Sequence, residues 1–241
     1  MSEEKKDTPT EVKNSKYHTL FKEVKPESKE VVKVDDKDLY NIKPGYTSYR
    51  LFIDAFAETE RGLHEMFNIL WNASDNDTLE LRINSCGGFV KEGQNFFNVI
   101  RNKFNGRTTT ILDSAGYSMG ALLFCSGDTR VVMEQSDLMF HDYSGGSYGK
   151  GHEIESHVMH TKKHIRKFFK EIILEKGFLT EKEFEEMIIG KDFWFGVPEM
   201  CERGIATHVM VAGKLIKSKD YLKSLKKNPN KSKKKVVKKA K

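Results

Sequence analysis

The stretch from Thr108 to Cys125 constrains the fold most. Thr108-Thr109-Thr110-Ile111-Leu112 is β-branched and then apolar, which suits a buried strand. It enters Gly116-Tyr117-Ser118-Met119-Gly120, where small residues permit a sharp turn, and Ala121-Leu122-Leu123-Phe124-Cys125 then reads as a buried helix. Strand, tight turn and helix follow within eighteen residues. Two earlier units have the same order. Tyr49 to Asp54 reads as a strand before a helix with Leu63, Met66, Phe67 and Leu70 on one face, and Leu79 to Asn84 alternates into Gly87-Gly88 before Phe96, Phe97, Ile100 and Phe104 mark another helix. Short strands are expected at Val131 to Met133, at Leu138 to Phe140 and over Ile205 to Val211. A long polar helix is expected from His152 to Lys176, with two shorter helices after it. Alternation at this spacing predicts an α/β domain with a largely parallel sheet and right-handed crossovers.

The ends of the chain differ from its middle. Residues 1–40 carry ten acidic and nine basic side chains with few large apolar ones, so a disordered extension is expected over 1–38, before a domain over 39–213. A lysine-rich, disordered tail is expected over 214–241. The net charge of +6 sits in that tail: Lys226 to Lys241 holds nine lysines and no acid, and removing those nine charges leaves −3 for the rest. The folded part therefore has no basic character of its own, and contact with nucleic acid is expected only as weak, salt-sensitive binding through the tail. Cys86, Cys125 and Cys201 are odd in number and far apart, without the close pairs of a zinc site or disulfide framework. With no apolar leader and no run of about 18 apolar residues, a cytoplasmic protein without a membrane span is expected.

A serine on a strand-to-helix turn projects its hydroxyl, and the positive end of the next helix favours an oxyanion formed there. The same serine also suits a helix cap. As a nucleophile it needs a base to take its proton and an acid to orient that base. His141 ends the apolar run Leu138-Met139-Phe140, at a strand end where active-site groups of parallel sheets gather. Asp192 stands before Phe193-Trp194-Phe195, an apolar cluster able to shield a carboxylate. His208 is a second choice of base, since Ser118, Asp192 and His208 give the chain order of an α/β-hydrolase. Gly87-Gly88, after a strand, can turn a backbone N–H toward an oxyanion.

Taken together, Ile83-Asn84-Ser85-Cys86-Gly87-Gly88, Ser118-Met119-Gly120-Ala121, Met139-Phe140-His141 and Lys191-Asp192-Phe193-Trp194 resemble the motifs of the Clp protease proteolytic subunit (ClpP) family, in the family's order. The likeness runs from about Leu39 to Val211 and includes Pro198-Glu199 and Gly204-Ile205. It implies the ClpP/crotonase-like α/β fold with repeated ββα units and a long handle helix, here from His152. It implies a serine endopeptidase with Ser118 as nucleophile, His141 as general base and then acid, and Asp192 orienting His141. Gly88 and Met119 would supply oxyanion N–H groups, and substrate would pair along Gly87 and Gly145-Gly146-Ser147-Tyr148-Gly149. The implied partners are a polypeptide substrate, further copies of the chain in a heptameric ring or stacked double ring, and a separate Clp ATPase. No cofactor or metal is implied.

The sequence departs from the family's pattern at three places. Cys86 replaces a proline before the glycine pair, and Lys191 replaces an arginine that contacts a second ring, keeping the charge without the bidentate fork. The charged extension has no match to the axial loops used for ATPase docking, and the Clp-like proteases of bacteriophage are also within the likeness. Other readings are a crotonase using only paired N–H groups, a Ser/Lys peptidase, and an assembly subunit that keeps the fold. His157, His160 and His164 share helical spacing that would suit a metal or a pH-sensitive contact. Ser144 to Gly151 lacks the first glycine and final hydroxyl of a phosphate loop, so no nucleotide binding is expected.

Overall fold

The computed structural model describes residues 10–13, 18–25, 28–34, 37–43, 45–56 and 61–227. From the predicted first unit onward, strands and helices alternate. β5 (Tyr46–Ile53) leads through α1 (Arg61–Trp71) to β6 (Thr78–Ser85), α2 (Val90–Lys103), β7 (Thr108–Tyr117) and α3 (Met119–Ser126). β8 (Thr129–Met133) and β9 (Asp137–Phe140) follow, and then the long α4 (Gly151–Phe169), which runs into a π-helical turn at Lys170–Leu174. α5 (Glu181–Ile188), α6 (Val197–Glu202) and β11 (His208–Val211) follow as expected, with an unexpected short strand, β10 (Phe193–Gly196), between the two helices. β5, β6, β7, β8 and β11 are parallel neighbours, as crossover helices require.

One face of the sheet carries the core. In β5 and β6 alternate residues are buried, with Leu51, Ile53, Leu81 and Ile83 at 1% exposure or less, while Phe52 and Arg82 face the other way. α1 contributes Met66 and Leu70, α2 contributes Phe96 and Ile100, and α3 is buried from Met119 to Cys125. Leu63 belongs to the predicted α1 face, and its side chain lies outside the described residues. Phe96 sits between two rings, Phe67 at 4.9 Å and Phe56 at 6.0 Å between centroids.

The ends differ from the sequence expectation. Over 1–38 the described segments are strands: β1 (Thr10–Lys13), β2 (His18–Lys25), β3 (Ser28–Val34) and the start of β4 (Lys37–Lys43). β2 pairs antiparallel with β5 along its whole length, covering that edge of the sheet, and β3 pairs with β4 in a separate ribbon. Charged side chains suit such an edge, so composition concealed the strands. At the other end β12 (Lys214–Lys217) pairs with β11, and α7 (Ser218–Lys227) packs Tyr221 and Leu222 against the core. The buried Ser218 hydroxyl donates to the Ala206 carbonyl (2.7 Å). Residues 228–241, the rest of the expected tail, lie outside the described residues. Among the described residues no helix is long and apolar enough to cross a membrane.

Candidate active site

β7 departs from its neighbours at its C-terminal end. Its first half pairs with β8 and its last three residues pair with β9, Tyr117 opposite Met139. The Ser118 N–H continues this ladder to the Met139 carbonyl (3.1 Å). Ser118 itself has φ 54° and ψ −123°, a conformation that costs a non-glycine residue about 1–3 kcal/mol and is held only by surrounding structure. α3 begins at the next residue. Gly120 allows this close entry, because a Cβ there would lie 2.9 Å from the Ser85 carbonyl oxygen.

β10 pairs antiparallel with β9, Phe140 opposite Phe193. The ladder ends there, and His141 and Asp192 are the next residues of the two chains beyond it, at the strand ends next to Ser118. Ser118, His141 and Asp192 thus stand at the ends of β7, β9 and β10, which lie side by side. No hydrogen bond joins the three side chains within the protomer, and Asp192 is exposed. His208 lies elsewhere: β11 places it level with Val131, and β8 places Val131 level with Ile111. Ile111 and Ser118 are seven positions apart along β7, roughly 20 Å at strand rise. The hydrolase-order alternative is therefore not assembled.

The glycine pair reaches the same place from β6. Gly87 has φ 102°, and a Cβ on it would fall 2.6 Å from the Ser118 Cβ and 3.1 Å from Oγ. Phe56 fixes the loop. Its N–H donates to the Gly87 carbonyl (3.2 Å), and its carbonyl accepts the Phe89 N–H (2.8 Å). In this parallel bridge the flanking peptide groups face Phe56, so the N–H of Gly88 points away from it. The N–H of Met119, first in α3, has no acceptor within the helix. Two backbone N–H groups thus lie in the segments next to Ser118 without a partner in these ladders. Cys86 is a free, exposed thiol beside this loop.

Gly145, Gly146 and Ser147 belong to the irregular segment after His141, and residues 142–148 join no other strand among the described residues. Tyr148 is fully exposed. Beside this segment lies a hollow of 390 Å³ lined by Asp142, Tyr143, Lys162, Arg166 and Ile188 among others. Withdrawal from water pushes the Asp142 carboxyl up, an effect that a local backbone N–H, His141, Lys162 and Arg166 oppose. Arg166 is tied to Glu185. Lys191, next to Asp192, pairs with Glu186 (2.5 Å) and lies over the Phe193 ring, so its charge is engaged within the protomer.

Sequence reasoning missed the support beneath the site. The Tyr117 hydroxyl donates to the Asp137 carboxylate (3.0 and 3.1 Å to the two oxygens), and Trp194 packs edge-on against the Tyr117 ring at 5.1 Å. Burial, and then Asp137, push the Tyr117 hydroxyl up, so it remains a donor. The available signal is the strand-like aromatic run Phe193-Trp194-Phe195, which opens the four-residue β10. On α4, His160 and His164 stack with ring centroids 6.0 Å apart. No group of three or more metal-ligating residues gathers among the described residues.

The family model described as Clp protease matches residues 57–213, which is more than half of the chain. The chain is 29% identical over 161 residues to the ATP-dependent Clp protease proteolytic subunit 2 of Chlamydia muridarum, covering 64% of this chain and 76% of that protein. The protein of the same name from Pseudomonas aeruginosa is 25% identical over 153 residues, covering 61% of this chain and 73% of its own length. The matched span contains the Ser118 turn, the glycine pair and the three neighbouring strand ends. The chain belongs to the Clp protease family and is a ClpP-type serine peptidase.

Proposed function

We propose that the chain hydrolyses peptide bonds of proteins or peptides through an acyl-enzyme on Ser118. His141 takes the hydroxyl proton as Ser118 attacks the carbonyl carbon and returns it to the leaving amine, and Asp192 orients the imidazole and stabilises its charged form. The N–H groups of Gly88 and Met119 hold the oxyanion, and water then releases the acyl group by the same steps in reverse roles. An extended substrate adds alongside Gly145, Gly146 and Ser147 and beside Gly87. The observation that carries this reading is the strained Ser118 turn set beside the ends of β9 and β10, with His141 and Asp192 the residues next to the Phe140–Phe193 pair.

The working form in this reading is a homo-oligomeric ring, heptameric or stacked in two layers. Its support is the exposed apolar surface of the protomer: Val158 and Met159 on α4, Ile189 after α5 and Trp194 on β10. An assembled ring also supplies the contacts that draw Ser118, His141 and Asp192 into hydrogen-bonding distance. The relatives' names describe an ATP-dependent protease, and a separate Clp ATPase is the corresponding partner here. Three free cysteines suit a reducing compartment such as the cytoplasm.

The test is treatment with a fluorophosphonate probe followed by mass spectrometry, with oligomer size measured on each sample. Labelling at Ser118 that disappears in Ser118→Ala and His141→Ala is the expected result. An assembled wild-type ring that takes no label overturns the proposal.

A further inference from the structure

The end of α3 remote from Ser118 opens onto a second hollow of 460 Å³, where Asp128, Arg130, Lys176 and Arg203 meet. α3 has eight residues, so the two ends are about 12 Å apart. Arg130 is pinned by three backbone carbonyls: Nε donates to Ile205 (2.6 Å), Nη1 to Gly127 (2.8 Å) and Nη2 to Gly204 (3.0 Å). Its guanidinium also lies over the Phe178 ring. Lys176 Nζ donates to the Cys125 carbonyl (2.7 Å). Arg203 is forked onto Glu183, at 2.7 and 3.0 Å, and donates to the Phe178 carbonyl.

These bonds close the last carbonyls of α3 and the turn at Gly204, which accounts for the presence of cations here. It does not exhaust them. A guanidinium has five N–H donors and an ammonium three, so Arg130 and Lys176 each keep two. Glu183 balances Arg203. Among the described residues Asp128 is the only carboxylate lining the hollow, and one of its oxygens accepts the Thr108 N–H (2.9 Å). One positive charge is left in excess. Burial lowers the pKa of the partly buried Arg130 and of Lys176, whose residue is nonetheless exposed, and Asp128 offsets that only in part. The neighbouring Cys125 thiol is pushed up to about 12 by burial, so no thiolate supplies the missing negative charge.

We propose that this hollow binds a small oxyanion, a phosphate or a carboxylate, with Arg130 and Lys176 as its donors, at a site separate from Ser118. Donors already fixed by carbonyl bonds lose little freedom on binding, and a planar guanidinium beside an ammonium suits two or three anion oxygens. The source is either free inorganic phosphate or a carboxylate carried by a peptide.

Calorimetric titration of the full chain with phosphate, acetate and chloride at matched ionic strength tests this. Phosphate or acetate binding one per chain, with chloride silent, is the expected result. Preference for phosphate assigns the free anion, and preference for acetate assigns a peptide carboxylate. Lys176→Gln should weaken binding at least fivefold. Asp128→Asn should tighten it, because it removes the opposing charge and keeps an oxygen for the Thr108 N–H. Labelling at Ser118 should persist in both variants. No binding beyond that of chloride overturns the proposal, as does a shift of both variants in the same direction. Should Lys176→Gln fail to fold, the wild-type titrations and Asp128→Asn decide the matter.

Discussion

Phe140 and Phe193 face each other across the antiparallel β9–β10 pair, and His141 and Asp192 are the residues that follow this pair at the open end of the ladder. Directly opposed residues of an antiparallel pair have Cβ atoms about 5 Å apart, a spacing that suits the carboxylate–imidazole bond of the proposed mechanism. Asp192→Asn keeps the shape and removes the charge that the proposed mechanism assigns to fixing the imidazole tautomer. Turnover of a peptide substrate should fall about 10³–10⁴-fold, with ring size and melting temperature nearly unchanged because Asp192 is exposed in the protomer. Turnover within tenfold of wild type would remove Asp192 from the mechanism.

The glycine pair makes a second, independent demand on the same site. Gly87 at φ 102° and Gly88 at φ 143° lie where side chains are rarely tolerated, and a Cβ on Gly88 would collide with the Phe56 carbonyl. Gly87→Ala pushes directly on Ser118, and Gly88→Ala displaces the N–H assigned to the oxyanion. Each should cost about 1–3 kcal/mol of stability, measured by denaturant unfolding, and should lower the rate of fluorophosphonate labelling at Ser118. Unchanged labelling of a destabilised Gly88→Ala would show that this N–H is not needed.

Most of the β5–α3 architecture was legible in sequence because burial there follows one-dimensional periods, as in Leu79-Glu80-Leu81-Arg82-Ile83. The site motifs were legible for a related reason: sharp turns demand glycine at Gly87, Gly88 and Gly120, and that demand shows in the letters. β10 was not read as a strand because four residues carry too little alternation. Lys214 to Lys227 was read as tail because lysines outnumber apolar residues, although Tyr221, Leu222 and the Ser218–Ala206 hydrogen bond anchor it. The Tyr117–Asp137 bond joins two strands with no shared motif, so only the β7–β9 register discloses it.

Phe96 is 2% exposed and wedged between Phe56 and Phe67, which ties α2 to α1 and to the residue that pins the glycine loop. Phe96→Ala should destabilise the fold by about 3–5 kcal/mol, and Phe96→Leu by less. Loss of the Phe56 contact also loosens Gly87 and Gly88, so labelling at Ser118 should slow in folded Phe96→Leu. A labelling rate equal to wild type would confine the effect of Phe96 to stability.

Glu183 joins the N-terminal cap of α5 to Arg203, which caps the C-terminal end of α6. Its carboxylate takes the Arg203 fork and the Thr180 N–H (2.8 Å), and Arg203 first, then Thr180, hold its pKa down at about 2 against an ordinary 4.5. A carboxyl lowered on folding contributes stability above its unfolded pKa and loses it as pH falls through the folded value. The contribution should be complete near pH 7 and decline from about pH 4.5 to about pH 2. The side chain is 23% exposed, and solvent screening limits the effect to about 1–2 kcal/mol. Denaturant unfolding of wild type and Glu183→Gln at stepped pH should therefore show a gap of that size at neutrality, narrowing below pH 4.5. A gap that stays constant with pH would assign the role of Glu183 to packing and capping rather than to its charge.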